Sequence, residues 1–101
     1  MRKHKIDVTV EDSSIVVQPE SLLMTLDDEV QWAGKNERKF SIEFEGVGPF
    51  QSRQLPHTMA TMGQQARTRG RFKYTVVSDE NPGLRLDPVI IVDPPPSGGI
   101  E

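Results

Sequence analysis

The chain has 101 residues, of which 35% are apolar and 27% charged, and its formal net charge is -3, a composition typical of one small, mildly acidic domain. It contains no cysteine, which excludes disulfides, thiolate metal ligands and thiol nucleophiles together. Nucleic-acid binding draws on a basic surface, so the acidic balance predicts no nucleic-acid partner.

No apolar run approaches the roughly 20 residues of a membrane span, so we expect none. The basic start, residues 1–5, is followed by apolar and polar residues in alternation rather than by the apolar run of roughly 7 to 15 residues of a signal peptide. If Met1 is the native start, a cytoplasmic location is expected. If a leader was removed, a periplasmic location stays open.

Apolar residues recur at every second position along the first half of the chain, which indicates half-buried strands. The apolar positions of these predicted strands are Ile6, Val8 and Val10, then Ile15, Val16 and Val17 of the extended segment Ile15–Gln18, then Leu22, Met24 and Leu26, then Val30 and Trp32, and then Phe40, Ile42 and Phe44. Pro19 ends the second strand because proline cannot donate a ladder hydrogen bond. Asp27 and Asp28 predict a tight turn before Val30.

The second half of the chain contains the longest predicted loop. Residues 46–63 show no sustained period and have room for one short helical turn. After a break at Gly70, residues 71–77 alternate as a strand, residues 78–86 form a second loop, and the apolar run 89–92 predicts a last strand buried on both faces.

Eight or so short strands without a helical period predict an all-β fold, a single-domain antiparallel Greek-key β-sandwich. We assign residues 1–93 to this sandwich. Residues 94–101 are too rich in proline and glycine to pack and are predicted to be a flexible tail. Trp32 is expected in the core, between the sheets.

Two segments carry a resemblance to a known family. In residues 15–32, Pro19 lies between extended segments and a tight turn precedes the pair Val30-x-Trp32; in the second segment, Gly70-x-Phe72-x-Tyr74 is followed by the closing strand 89–92. The order of these motifs resembles the cupredoxins, the plastocyanin-like and azurin-like sandwiches. The resemblance covers most of the chain, and residues 46–65 match nothing in particular. The family usually has a glycine in the turn where this chain has two aspartates, and aspartate tolerates the left-handed conformation.

Copper-binding cupredoxins hold their type 1 copper with a histidine of the middle strand and with a cysteine, a histidine and commonly a methionine around the last loop. The resemblance places these ligands at Phe40 or Ser41, at Val76, at Asp79 and at Leu84. None of these side chains supplies the thiolate, imidazole or thioether that a blue-copper centre needs. The resemblance therefore implies the fold without the type 1 copper site, and we expect no cofactor.

Soft metal ligands cluster at one place in the chain, His57, Met59 and Met62. An imidazole with two thioethers suits Cu(I). Alternatively, the two methionines plug an open end of the sandwich while His57 lies at the surface. We predict no metal site and keep these three residues as the candidates for one.

The long loop also combines apolar side chains with amides and an arginine, which suits a protein contact. Phe50, Arg53 and His57 are the candidate interaction surface; the alternative is that the apolar groups of the loop only cover the core. The sequence shows no Ser-His-Asp order and no phosphate-binding glycine loop, so we expect no enzyme and no catalytic residues.

These observations predict a copper-free, cupredoxin-like protein-interaction or small-ligand binding module. Its partner is an unidentified protein or small molecule, and its oligomeric state is not predicted. The alternative is a metal-handling, copper-binding or electron-transfer protein that uses the non-standard loop site.

Overall fold

The computed structural model describes residues 2–93. The strands and the one short helix follow in chain order: β1 Lys3–Val10, β2 Ile15–Gln18, β3 Ser21–Met24, β4 Glu29–Gly34, β5 Phe40–Phe44, β6 Gln54–Leu55, α1 His57–Ala60, β7 Gln64–Gln65, β8 Gly70–Ser78, β9 Arg85–Leu86 and β10 Val89–Val92. The predicted tail, residues 94–101, lies outside the described residues.

The strands form two sheets that face each other. The first sheet has the order β2-β1-β4-β7, and the second has the order β3-β10-β8-β5-β6, with β9 paired to β8. This confirms the predicted all-β sandwich. The sheets are mixed rather than purely antiparallel, because β1 runs parallel to β4 and β3 runs parallel to β10. A period of two fixes which face of a strand is buried but leaves the direction of its neighbour open.

The core lies between the sheets and follows the predicted alternation. Phe40 and Ile42 on β5 are fully buried, and so is Trp32 on β4. The side chains between them on β5, Ser41 and Glu43, are half-buried on the other face of the sheet. The prediction for this strand and for Trp32 is confirmed.

Two of the places where the chain passes from one sheet to the other are marked in the sequence. The first is Pro19, which follows a cis peptide bond and separates β2 of the first sheet from β3 of the second. The second is Gly70, which has φ 140 and opens β8 after the chain has left the first sheet at β7. Asp27 has φ 73, so the turn without glycine adopts the left-handed conformation expected of it.

Three local predictions differ from the structure, and the first is the predicted second loop, residues 78–86, which contains the short strand β9. Strand β10 is fully buried on one face only: Ile90 and Val92 point into the core, whereas Val89 and Ile91, on the opposite face of the strand, are half-buried. The long loop contains β6 as well as the expected helical turn, α1. Within residues 2–93, no helix has the length and apolar character to cross a membrane.

Candidate functional site

The positions that the resemblance assigns to copper ligands meet at one end of the sandwich, where β5 begins and β8 ends. Phe40 lies opposite Ser78 in the ladder between these strands, and Ile42 lies opposite Val76. The Ser41 hydroxyl donates a hydrogen bond to Asp79 Oδ1 at 2.6 Å. The fold therefore brings these positions together, as the resemblance implies.

Hydrocarbon fills the interior of this end. Phe40 and Val76 have 0% exposure, and Leu84 packs against the core from the loop between β8 and β9. None of the three carries a lone pair for a metal. A blue-copper centre requires a cysteine thiolate and two imidazoles around the ion, and these residues do not fit it.

The loop after β8 is closed by its own hydrogen bonds. The Ser78 N–H donates to the Leu84 carbonyl at 3.1 Å, and the Ser78 hydroxyl accepts from the Asn81 N–H at 3.2 Å. The Asp79 N–H donates to the Lys39 carbonyl at 3.1 Å, which fastens the loop to the start of β5. Ser78 is 2% exposed, so the loop folds over a buried polar group whose hydrogen bonds are made within the loop.

His57, the first residue of α1, is held against Phe40. The Phe40 N–H donates to His57 Nδ1 at 3.2 Å, and the two rings meet edge to face with centroids 4.8 Å apart. Because Nδ1 accepts a hydrogen bond, a neutral imidazole in this position carries its proton on Nε2. A metal could bind Nε2 only if that proton moved to Nδ1, which would place it against the Phe40 N–H. The structure therefore positions His57 as a support for the start of β5.

The two methionines do not plug the core. Met59 is 36% exposed and Met62 is 63% exposed, while Ala60 and Leu55 fill the space beneath α1. His57 and Met59 are two residues apart on a helical turn and so point in directions about 200° apart. The described residues, 2–93, contain no cluster of three or more histidine, cysteine or carboxylate side chains that could hold a metal ion. The predicted lack of a metal site stays a prediction, and His57, Met59 and Met62 stay the candidates for one.

The predicted interaction surface of Phe50, Arg53 and His57 is not one patch. Phe50 is 5% exposed and packs edge to face on Trp32 and Phe44, with centroids 5.9 Å and 5.7 Å away, so assigning it to the surface was wrong. Its aromatic ring completes the core where the strands leave a gap. Arg53 is exposed, and its carbonyl accepts from the Phe44 N–H at 2.7 Å. Arg53 therefore contacts β5 at Phe44, whereas His57 contacts it at Phe40. These two ends of the strand are about 13 Å apart at the rise of a strand.

Sequence reasoning missed a buried carboxylate at the opposite end of the sandwich. Asp28 is 2% exposed and accepts hydrogen bonds from His4 Nε2 at 2.9 Å, from the Thr25 N–H at 3.0 Å and from the Arg2 N–H at 2.9 Å. These bonds, that of His4 first, outweigh burial and hold the pKa of Asp28 well below its usual range. A signal was present: His4 shares the parity of Ile6, which places it on the buried face of β1.

No protein-family model matches the chain, and no curated protein matches it. Solved structures do. Pseudoazurin from Sinorhizobium meliloti superposes with a TM-score of 0.64 over 94% of this chain and 76% of that one, at 14% identity. Pseudoazurin from Methylobacterium extorquens AM1 gives 0.56 over 87% and 74%, at 12% identity. An amicyanin in its reduced Cu(I) form gives 0.54 over 88% and 82%, at 15% identity. These proteins are cupredoxins, so the predicted cupredoxin-like fold is confirmed; at such identities the likeness shows the fold alone.

Proposed function

We propose that this cupredoxin-fold domain is a copper-free module that binds a protein or small molecule and is not an enzyme. The observation that carries the proposal is the complete burial of Phe40 and Val76 at the positions of the copper ligands. These side chains turn the end of the sandwich from a site for an ion into a closed, rigid platform.

We place the binding surface at the rim of this platform, which consists of His57, Met59 and Met62. Met59 and Met62 are exposed apolar side chains directly after His57, which Phe40 holds in place. Methionine adapts to irregular partner surfaces, and side chains fixed on a rigid scaffold lose little entropy on binding. Arg53 remains a candidate for the edge of the contact, whereas Phe50 contributes only from the core.

The carboxylates support a non-catalytic role. Glu45 and Asp87 line one cleft of about 290 Å³ together with Lys73 and Arg85, and the Thr75 hydroxyl donates to Asp87 at 2.8 Å. All four charged side chains are exposed. An acid–base pair works best in an enclosed site that separates the pKa values of its two groups, and this cleft is open to solvent.

The experiment is affinity capture from the cells that make the protein, with a matched pair of variants. Met62→Asp places a charge on the proposed rim, and Val47→Asp places the same charge at another exposed apolar residue, 85% exposed. We expect mass spectrometry to find a companion that Val47→Asp retains and Met62→Asp loses. A companion that both variants retain would contradict the proposed surface.

Metal handling at His57, Met59 and Met62 is the second candidate. Its support is the exposure of both thioethers within five residues of an imidazole. Anaerobic titration with Cu(I) tests it: binding tighter than micromolar that is lost in a Met59→Ala, Met62→Ala variant would establish the site. Failure to bind Cu(I) would remove this candidate and leave the binding module untouched.

A further inference from the structure

Strand β3 presents an open edge to solvent. The Val89 N–H donates to the Glu20 carbonyl at 2.9 Å and the Asp93 N–H donates to the Met24 carbonyl at 2.7 Å, so the even-numbered residues of this segment bond to β10. Since backbone groups alternate in direction along a strand, the N–H and C=O groups of Ser21 and Leu23 point away from β10. Within residues 2–93 no strand lies on that side.

This edge lacks the usual protection against pairing. Natural proteins blunt edge strands with lysine, proline or inward charges, and Ser21–Met24 contains none of these. Leu23, in the middle of this edge, is 57% exposed. Four backbone groups that pair with no strand of residues 2–93, together with the exposed side chain of Leu23, form a template for another strand.

Charges of opposite sign lie at the two ends of the strand. Glu20 is exposed at the start of β3 and forms no ion pair within residues 2–93. At the other end, Arg2 lines a cleft of about 220 Å³ beside Met24 and Thr25, and its guanidinium is likewise without an ion pair among the described residues. The Asp28 carboxylate in this cleft already accepts three hydrogen bonds, so it leaves Arg2 available.

We propose that the β3 edge pairs with the β3 edge of a second copy of the chain, antiparallel and about a two-fold axis. In this arrangement Leu22 lies opposite its own counterpart, and Ser21 and Leu23 of one copy exchange backbone hydrogen bonds with Leu23 and Ser21 of the other. The antiparallel direction places Glu20 of each copy beside Met24, and hence beside Arg2, of the other. The edge is therefore self-complementary in hydrogen bonding and in charge.

The side chains of β1 are compatible with this contact. Arg2 lies an even number of positions before Ile6 and therefore lies on the face of the first sheet that meets the second sheet. By the same alternation, Glu20 lies on the same face of its segment as Leu22. Lys3 and Lys5 lie on the outer face of the first sheet and stay outside the pairing. Exposed ion pairs contribute little, so the backbone bonds and Leu23 supply most of the affinity and the charges set the direction.

Analytical ultracentrifugation over a concentration series tests the proposal. We expect the dimer fraction to increase with protein concentration over a series that extends to about millimolar, because a short edge-to-edge contact gives weak affinity. Leu23→Lys places a charge in the pairing edge and should yield a monomer, whereas the matched control Val47→Lys should leave the dimer intact. A monomer at all concentrations, or a dimer that survives Leu23→Lys, would overturn the proposal.

Charge reversal provides a second test that does not depend on Leu23. Glu20→Arg and Arg2→Glu should each weaken the dimer, and combining them should restore it, because the two reversed charges attract again. Failure of the double variant to recover, with Trp32 fluorescence showing a folded core, would reject the antiparallel arrangement. The β3 edge lies at the end of the sandwich opposite His57, Met59 and Met62, so Met62→Asp should leave the dimer unchanged.

Discussion

The Trp32 indole donates a hydrogen bond from Nε1 to the Tyr74 hydroxyl at 3.2 Å, joining the first sheet to the second through the centre of the core. Both residues are at most 2% exposed, and their rings meet edge to face with centroids 5.5 Å apart. A buried N–H needs an acceptor, and the Tyr74 hydroxyl provides it.

Replacing Tyr74 by phenylalanine should destabilise the fold by about 1–3 kcal/mol, because the Trp32 N–H then loses its acceptor inside the core. Urea unfolding followed by circular dichroism measures the change. The double variant Trp32→Phe, Tyr74→Phe should lose less free energy than the sum of the two single variants, since it removes both partners of the bond. Strict additivity would show that the bond contributes nothing.

The same burial should make stability fall at alkaline pH. Burial raises the pKa of Tyr74 above its ordinary value, so the unfolded chain releases the phenol proton at a pH where the folded chain still holds it. The contribution of Tyr74 to stability is therefore constant below about pH 10 and declines above it. Tyr74 is the only tyrosine, so phenolate absorbance should rise together with unfolding seen by circular dichroism. A phenolate signal that precedes unfolding would contradict the buried position.

Acid should destabilise the opposite end of the sandwich through Asp28. Its pKa is lowered in the folded state, first by the hydrogen bond from His4, so its contribution is fully present above the ordinary carboxyl pKa. That contribution declines as the pH falls below about 4. Thermal melts should show this slope in the wild type and a shallower one in Asp28→Asn. An unchanged slope in the variant would assign acid sensitivity to other carboxylates.

Gly70 should not tolerate a side chain. Its φ of 140 is a conformation that L-residues avoid, and a Cβ there would lie 3.2 Å from the Phe72 ring. Gly70→Ala should therefore cost about 1–3 kcal/mol. Gly46 is the control, because a Cβ at that position meets nothing within 4 Å and its φ is not positive. Gly46→Ala should be neutral or slightly stabilising in the same urea titration.

Most strands and turns of the fold could be predicted from local sequence patterns. The alternation of Phe40, Ile42 and Phe44 predicted a buried face because side chains alternate strictly along a strand. Gly70 and Asp27 predicted a break and a left-handed turn because few residues adopt such conformations. The candidate interaction surface was harder to predict from the sequence. Phe50 lies in a segment without periodicity, where hydrophobicity alone does not distinguish a side chain buried in the core from one exposed for a contact.

The sequence by itself determined which residues of the regularly alternating strands face the core and, through its residue types, that the positions of the copper ligands cannot form a type 1 site. Tertiary structure alone decided the parallel pairing of β1 with β4, the burial of Phe50, the exposure of Met62 and the hydrogen bonds that enclose Asp28. The reason is physical: facing follows from the two-residue period of one strand, whereas pairing and exposure depend on which distant segment packs beside it.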